Sequence, residues 1–426
     1  MTIIKKRIKM PLLLSLVVAS LLFSASACSN PAAVNTDADL TEYKEGQAAA
    51  RDLAANTEKP IFDTKALAIF DEPWAMTALP TADNESPKLL VTQKTGELFV
   101  VDTATGSKTA VAGIPAVAYG GQGGLGDVIL APDFSTSKQI YFSYAEAGTG
   151  GDSGKFGAKV IKAALTGLDT ETPSLQALMP IWEQAPKVRG QGHYSHRLLF
   201  SPDGQYLYIS SGDRQQKAPA QDMSGNLGKI IRLHSDGSVP KDNPFTEDKH
   251  EIAKQFWSIG HRNVLGMVFD DAGRLWAHEM GPRGGDEFNL IKKGHNYGWP
   301  VVSNGRNYNG TDIPDHDTRP DFAAPHITWT PVISPSSMSI YASGRHNDFP
   351  AWQGHALISG LSSQALMVVR LDSNNGSEKA GERYRYDMGE RMRSVLAVDG
   401  RVWLLEDGKN AKLLQLVSQH ALVKPK

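Results

Sequence analysis

The sequence has 426 residues, with 44 basic and 46 acidic side chains and a formal net charge of −2. This charge balance excludes the basic field that draws a protein onto nucleic acid, so no nucleic-acid partner is expected. Forty glycines, 24 prolines and a hydrophobic fraction of 41% are typical of a turn-rich globular protein with enough apolar residues for a sizeable core.

The N-terminus has the order of a secretory signal. Basic residues at positions 5–9 precede an apolar run over 11–23, and small residues then lead to Cys28, the only cysteine. This order predicts a lipoprotein-type signal peptide over residues 1–27 with Cys28 as the site of lipid attachment; an ordinary signal cut after Ala27 is the alternative. We therefore expect an exported protein, periplasmic or at the cell surface, that its lipid anchors to the outer membrane. No later segment is apolar for long enough to predict a membrane span.

Residues 28–58 are rich in Ala, Asn, Thr, Asp and Glu without an apolar period, which predicts a flexible tether. The folded domain is expected over residues 59–420. One pattern recurs within it: a turn residue, a β run bearing an aromatic residue, and a polar or glycine stop. Its six copies begin at Gly96, Lys138, Asp203, Ala272, Gly354 and Asp399.

The spacing of these copies leaves room for a four-stranded sheet around each one. A single sheet of this kind cannot bury both of its faces, so repeated sheets stack around an axis. The pattern therefore predicts an all-β fold, a six-bladed β-propeller; a β-sandwich or a pair of barrels is the alternative. Ligands of propellers bind at one mouth of the central channel, so the long polar segments between strands are the places to search. No amphipathic zipper is present, and a monomer is expected.

Two segments carry candidate catalytic groups. The segment 190–193 places glycines beside His193 just before a predicted strand, and histidine is the side chain most easily poised as a base near neutral pH. A lone histidine is nevertheless more often structural. Further on, Arg262 and Asn263 set a fixed cation beside an amide, which suits polarising a carbonyl or holding a carboxylate. A surface ion pair is the alternative for Arg262.

Two further segments point to charged ligands. The glycine-dense loop around Asp286 and Glu287 offers the hard oxygen ligands that Ca²⁺ prefers, although it lacks the spacing of an EF-hand and could be a plain acidic turn. Near the C-terminus, Arg391 and Arg393 alternate on one face of a predicted strand. Two such cations repel each other unless an anion lies between them, which favours a ligand with several carboxylates; a solvated basic edge is the alternative.

Taken in chain order, these segments resemble the soluble quinoprotein glucose/sorbosone dehydrogenase family, specifically its aldose sugar dehydrogenase branch. The resemblance runs from Glu72 to about Leu416. Its motifs are Gly121-Gln122-Gly123-Gly124-Leu125-Gly126, His193 with Arg197, Gly212-Asp213-Arg214, Gly228-Lys229-Ile230-Ile231-Arg232-Leu233, Gly260-His261-Arg262-Asn263, Gly281-Pro282 through Trp299-Pro300, and Arg391-Met392-Arg393.

The resemblance implies a propeller that binds pyrroloquinoline quinone (PQQ) and calcium. It implies oxidation of aldose sugars at C1 to the lactone, with hydride transfer to the quinone and electrons passed to an external quinone, cytochrome or dye. The implied catalytic residues are His193 as general base, Arg262 at the quinone C5 carbonyl, and Asp286 near the reacting centre. The implied cofactor contacts are Gln122, Arg262, Asn263, Tyr308, Arg391 and Arg393. The implied calcium ligands are the carbonyls of Gly281 and Pro282 at the cofactor, and Glu287 with the carbonyl of Tyr297 at a second, structural site.

The sequence departs from the family at Ser362, where a lysine usually pairs with a cofactor carboxylate. Loss of one buried charge-assisted contact costs roughly 1.5–3 kcal/mol, unless a residue such as Lys229 or Arg283 compensates. This departure supports the main alternative, a non-catalytic propeller lipoprotein that binds carbohydrate or protein. A calcium-dependent lactone hydrolase is a further alternative, but it requires a carboxylate-dominated pocket.

Overall fold

The structure, a computed structural model, describes residues 57–82, 85–170, 172–372 and 378–419. The predicted signal peptide, the lipid-attachment residue Cys28 and almost all of the predicted tether lie outside the described residues. The described part of the chain contains one α-helix, α1 (Phe134–Ser137), and five short 3₁₀ turns. No helix within these ranges is long and apolar enough to cross a membrane.

The described chain forms six four-stranded antiparallel sheets. Their strands in chain order are β1 (Phe62–Phe70), β2 (Pro73–Ala78), β3 (Lys88–Gln93), β4 (Glu97–Asp102), β5 (Lys108–Ala110), β6 (Leu125–Leu130), β7 (Gln139–Ala147), β8 (Phe156–Thr166), β9 (Ser174–Glu183), β10 (Ser195–Phe200), β11 (Tyr206–Ser211), β12 (Lys229–His234), β13 (Phe256–Ile259), β14 (Val264–Phe269), β15 (Leu275–Glu279), β16 (Asp286–Ile291), β17 (Ile327–Trp329), β18 (Pro335–Ile340), β19 (Ala356–Gly360), β20 (Ala365–Leu371), β21 (Ala380–Asp387), β22 (Met392–Val398), β23 (Arg401–Glu406) and β24 (Ala411–Ser418).

These sheets are the blades of a six-bladed β-propeller, as predicted. The innermost strands β2, β6, β10, β14, β18 and β22 contact one another in a closed ring. Five blades are continuous in sequence, and the sixth combines β22, β23 and β24 with β1 from the start of the domain. Strand β1 pairs with β24 from Phe62 opposite Ser418 to Phe70 opposite Ala411, so the two ends of the propeller close the ring through one sheet.

The recurring sequence pattern occurs once in each blade. Five of its six copies fall on the second strand of a blade, namely on β7, β11, β15, β19 and β23. The copy that begins at Gly96 falls on β4, the third strand of its blade. Pattern alone identified the number of blades correctly, but it placed the first copy one strand away from the others.

The hydrophobic core is divided among the blade interfaces. Strand residues alternate between the two faces of each sheet, so every blade presents apolar side chains to both neighbours. One cluster joins Tyr141 and Val160 of the second blade to Leu207 and Ile231 of the third, and equivalent clusters fill the other five interfaces. No blade could bury these faces alone, so the stability of each blade depends on closure of the ring.

The centre of the ring is polar instead. The buried Arg197 guanidinium donates to the backbone carbonyls of Leu265 at 2.7 Å and Ser336 at 2.8 Å, and its Nη1 lies 3.3 Å from Oδ1 of Asp127. Its Cζ also lies 3.8 Å from the ring centroid of Trp74. One side chain thus links the innermost strands of several blades near the axis.

Candidate active site

A cavity of about 430 Å³ opens at the end of the propeller where the innermost strands begin. Its walls come from the segments that lead into these strands and from the loops after the second strands. They include Glu72, Trp74, Lys94, Gly121, Gln122, Tyr194, Ser195, His196, Asn263, Leu265, Met280, Ser334, Leu361, Arg391, Arg393, Asp407 and Gly408. We call this space the site cavity.

A β-bulge near the start of each innermost strand contributes to this arrangement. In all six blades the register between the innermost and second strands shifts at this point, for example between Ser195 and Leu198 and between Met392 and Ser394. A bulge frees a residue from the regular alternation and redirects its side chain. The shifted stretches contain Trp74, Arg197 and Arg393, which lie near the axis or at the site cavity.

His193 is held just before β10 at the edge of this cavity. Its Nδ1 lies 2.7 Å from Oδ1 of the buried Asp213, and its backbone N–H donates to Oε1 of Gln122 at 2.7 Å. An ionised carboxylate only accepts hydrogen bonds, so Nδ1 carries the proton and Nε2 carries the lone pair. Burial lowers the pKa of His193 below its ordinary value, with a contribution from the Arg262 charge, so the imidazole is a neutral base at neutral pH.

Asp213 remains ionised although it is buried. Burial opposes ionisation, but hydrogen bonds from His193 and from the indole of Trp299, together with the Arg262 charge, hold the pKa of Asp213 below its usual value. Its Oδ2 accepts from Nε1 of Trp299 at 2.8 Å, and its Oδ1 also accepts the backbone N–H of Gln215 at 2.8 Å. The carboxylate is therefore fixed in position to orient the His193 ring.

The backbone around this pair is unusual. His193, Ser195, Arg214 and Gln215 all adopt positive φ, between 45° and 60°, a region that non-glycine residues occupy at a cost of order 1–3 kcal/mol each. Position 212 accommodates only glycine, because a Cβ there would collide with the carbonyl oxygen of His193. Strained backbone concentrated in this way is typical of a functional site.

Arg262 and Asn263 lie on the adjoining loop before β14. The Arg262 backbone N–H donates to Oε2 of Glu279 at 2.6 Å, and its Nη1 donates to the carbonyl of Met280 at 2.9 Å. Its Nε is buried with no hydrogen-bond partner among the described residues. Asn263 accepts from the hydroxyl of Ser195 at 3.0 Å. An unpartnered buried donor on a guanidinium leaves capacity for an anionic or carbonyl oxygen.

Asp286, at the start of β16, is buried and takes three backbone hydrogen bonds. The donors are the N–H groups of Gly281 at 2.8 Å, Ile333 at 2.8 Å and Ser334 at 2.7 Å. Burial outweighs these bonds and raises the pKa of Asp286 to about 6. The carboxylate thereby fixes the loop that contains the buried Gly281 and Pro282, whose carbonyl oxygens accept no hydrogen bond from any residue that the structure describes.

Arg391 and Arg393 meet on one carboxylate. The Nε atoms of Arg391 and Arg393 each donate to a different oxygen of Asp407 at 2.8 Å. The anion between the two arginines is therefore Asp407 of the chain itself, so the pair does not require a ligand. Two cations on one anion still leave a net positive charge, and both arginines line the site cavity.

A second cluster of carboxylates lies behind Arg262. Glu279 and Glu287 are buried and directly opposite each other in the β15–β16 ladder. Burial and the Glu279 charge raise the pKa of Glu287 well above its ordinary value. The neighbouring Asn289 has a buried Oδ1 without a hydrogen-bond partner in the described chain, and the carbonyl of Tyr297 lies 3.2 Å from Nε2 of His316. This oxygen-rich set fits a hard divalent cation.

No group of three or more His, Cys, Asp and Glu side chains within the described ranges is arranged to hold a metal ion. Both predicted calcium sites depend instead on backbone carbonyls, those of Gly281 and Pro282 at one site and that of Tyr297 at the other. The free carbonyls of Gly281 and Pro282 fit a calcium ion at the first site, and the apposed carboxylates of Glu279 and Glu287 fit one at the second site. Calcium binding stays a prediction.

The structure brings together most of the predicted residues. The site cavity is lined by Gln122, Asn263, Arg391 and Arg393. Residues that hydrogen-bond to His193, Arg262 and Asp286 line it as well, namely Gln122, Met280 and Ser334. Tyr308 lies on the rim, 74% exposed, with its hydroxyl 3.4 Å from Nη2 of Arg262.

One predicted compensation is wrong. Lys229 is fully buried, and its ammonium donates to the carbonyls of Pro219, Ala220 and Leu227, so it cannot replace the missing lysine at Ser362. Lys94 is a better candidate because it lines the cavity, and its ammonium is shared with Glu72 at 3.0 Å.

The sequence motifs contain Asp213 and Trp299, but no role was predicted for either of them, nor for Glu279 or Asp407. The position of Asp213 directly after a predicted strand and beside a glycine was a usable signal for a loop carboxylate. Nothing in the local sequence indicated that Asp407 would bridge two arginines.

Comparison with known proteins identifies sugar dehydrogenases as relatives of this chain. The sequence profile described as glucose/sorbosone dehydrogenase matches residues 70–415. The chain is 36% identical over 352 residues to the aldose sugar dehydrogenase YliI of Escherichia coli, covering 81% of this chain and 90% of that protein. The crystal structure of the soluble Escherichia coli aldose sugar dehydrogenase in its apo form superposes with a TM-score of 0.74 at 34% identity, covering 84% of this chain and all of that one.

A PQQ-bound aldose sugar dehydrogenase from Streptomyces coelicolor is also similar, with a TM-score of 0.65 at 26% identity over 84% of this chain and 99% of that one. The family match and these relatives support an oxidoreductase of the propeller class that acts on sugars. The chain belongs to the glucose/sorbosone dehydrogenase family.

Proposed function

We propose that this protein oxidises aldose sugars at C1 to the lactone with bound PQQ and calcium, and passes the electrons to an external acceptor. The observation that carries the proposal is the buried His193–Asp213 pair, which leaves Nε2 of His193 as a base close to Arg262. The similarity to a PQQ-bound aldose sugar dehydrogenase supports the cofactor.

Bound PQQ would supply the two-electron acceptor that no side chain provides. His193 would take the proton of the C1 hydroxyl on Nε2, and Asp213 would stabilise the imidazolium that forms. Arg262, with its unpartnered Nε, and Asn263 would hold a ligand carbonyl by hydrogen bonds. Arg391, Arg393 and the rim residue Tyr308 would contact the carboxylate-bearing cofactor.

Calcium would occupy two places in this proposal. The carbonyls of Gly281 and Pro282 would hold one ion against the cofactor, and Asp286 keeps their loop in place through three backbone hydrogen bonds. Glu287 and the carbonyl of Tyr297 would hold the second ion, which would neutralise the apposed Glu279 and Glu287 carboxylates.

Reconstitution tests the proposed function. Purified protein is incubated with PQQ and Ca²⁺, and aldose-dependent reduction of an artificial electron-acceptor dye is followed. We expect turnover only when both PQQ and Ca²⁺ have been added. Binding of PQQ without dye reduction by any aldose would support a binding propeller instead, and hydrolysis of a lactone without added PQQ would support the hydrolase.

We also propose that the chain is exported and anchored through lipid on Cys28, as its N-terminal sequence predicts. In cell fractionation, Cys28→Ser should move the protein from the membrane fraction to the soluble fraction with unchanged specific activity, because the propeller is built from residues after the tether. A variant that stays with membranes through high-salt washing would contradict the lipid anchor.

A further inference from the structure

We infer that Trp299 is a positioning residue that fixes the side chains of His193 and Arg262 relative to each other. This role rests on the proposed function. Trp299 follows the glycine of the Tyr297-Gly298 segment and is buried. No role was predicted for it from the sequence. Its indole N–H bonds to Asp213, the partner of His193, and its ring contacts Arg262 itself.

The N–H contact fixes Asp213. Nε1 of Trp299 donates to Oδ2 of Asp213 at 2.8 Å, while Oδ1 bonds to His193 at 2.7 Å. Trp299 and His193 are the only side chains among the described residues that hydrogen-bond to this carboxylate; its other donors are the backbone N–H groups of Gln215 and Lys217. With a donor on each oxygen, the carboxylate plane is set, and so is the orientation of the His193 ring.

The ring contact places Arg262. The guanidinium carbon of Arg262 lies 5.3 Å from the centroid of the Trp299 ring, within the range of a cation–π interaction. The backbone N–H of Asp213 also donates to the carbonyl of Arg262 at 2.9 Å. Base, carboxylate and cation therefore meet around one indole, although His193 and Arg262 belong to different blades.

Trp299 itself is held firmly. Its backbone N–H donates to the carbonyl of Gly260 at 3.0 Å, and its carbonyl accepts from Nε2 of Gln221 at 2.7 Å. The Gln221 and Asn296 side chains bond to each other reciprocally, and the indole packs with Ala220 and Ile313. The indole therefore has little freedom to turn away from Asp213.

The electrostatic consequence has a definite sign. The charged groups that face His193 are Asp213, Arg262 and Arg214. Without the indole N–H, the Asp213 charge is shared with one side-chain donor fewer, so it attracts the proton of protonated His193 more strongly. Removing the N–H should thus raise the pKa of His193 and move the acid limb of the pH–rate profile to higher pH.

The variant Trp299→Phe tests this, with Trp257→Phe as the matched control. The Trp257 indole N–H is buried without a hydrogen-bond partner in the described chain, so the control makes the same substitution without removing a hydrogen bond. Both proteins are labelled with ¹⁵N in the histidine rings and titrated by NMR without cofactor, and turnover is measured after loading with PQQ and Ca²⁺. For Trp299→Phe we expect a raised His193 pKa and a turnover number reduced about tenfold, by analogy with the 10–100-fold cost of removing a group that orients a metal-bound histidine.

Three results would overturn the inference. They are an unmoved or lowered His193 titration in Trp299→Phe, a turnover loss without any change in the acid limb, and an equal titration shift in Trp257→Phe. The NMR titration needs no sugar oxidation, so failure of the proposed function would leave this test of Trp299 intact.

Discussion

The two ends of the central channel differ in how their walls are built. The site cavity is lined by loops and by the first residues of the innermost strands, and it contains Glu72, Lys94, Arg391, Arg393 and Asp407. The cavity at the opposite end, about 370 Å³, is lined mainly by later residues of the same six strands. Its charged side chains are Asp127 and Arg197, which pair with each other.

This difference shows at which end of the channel a propeller can accommodate reactive side chains. Strand residues near the axis must fit a ring of six neighbours and keep the ladder, so their side chains are restricted in size and polarity. The segments before the innermost strands have no ladder to keep, and they can adopt positive φ, as His193 does. The same strands thus provide a packed wall at one end and rigid supports for variable loops at the other.

The largest expected effect is at the base. His193→Gln should lower turnover by about 10²–10⁴ with the fold retained, while Thr77→Val in the opposite cavity should leave turnover within about twofold. In the wild type, activity should fall as the pH drops through the His193 pKa, because the base must be unprotonated. Burial lowers that pKa, so the acid limb of kcat/KM should lie below about pH 6.5. A His193→Gln enzyme with near-normal turnover would remove this residue from the mechanism.

A smaller effect is expected at the paired carboxylates. Ca²⁺ at about 100 times its Kd should stabilise the wild type by about 2.7 kcal/mol per site, measured as a rise in Tm by calorimetry. Glu287→Gln should lose part of this Ca²⁺-dependent rise, and without Ca²⁺ it should not be less stable, because it relieves repulsion from Glu279. Glu251→Gln, at an exposed position, is the control. Equal Ca²⁺ responses in both variants would contradict a cation site at Glu287.

The two cavity arginines should differ in their contribution to cofactor affinity. The Arg393 side chain is 14% exposed and the Arg391 side chain is 48% exposed, on the same carboxylate. Arg393→Gln should weaken PQQ binding about 10–100-fold, and Arg391→Gln about threefold or less because solvent screens its charge. Titration of each apoprotein with PQQ at fixed Ca²⁺ measures the two values. Equal losses would show that burial does not set their relative contributions.

The smallest effect is expected at Ser362. Its side chain is exposed and bonds to Ser334 Oγ at 2.8 Å, so Ser362→Lys would add a solvent-screened cation rather than a buried one. PQQ binding should tighten by about fivefold at most, equivalent to roughly 1 kcal/mol, with turnover at saturating cofactor unchanged. This is less than the cost of a buried contact. An unchanged Kd would indicate that a cation such as Lys94 already fills the role.

The sequence determined the regular part of this protein. Blade number follows from local alternation and turn residues, which act over a few residues and repeat once per blade. The sequence also identified His193, Arg262 and the glycine-dense loop before Asp286 as candidates. Each lies in a short glycine-containing polar segment that interrupts the alternating pattern of the strands. Such local signals could be read without knowing which blades are neighbours.

Only the tertiary structure decided how these segments meet. Asp213 orients His193 from 20 residues away and is itself held by Trp299 from 86 residues away. Asp407, just after β23, joins Arg391 and Arg393 at the open end of the β22–β23 hairpin, and Lys229 proved to be buried under its own loop. These contacts depend on how loops of unequal length converge at one mouth of the ring. The physical reason is that ladder hydrogen bonds are set by neighbouring residues, whereas the partners of a loop side chain are set by closure of all six blades.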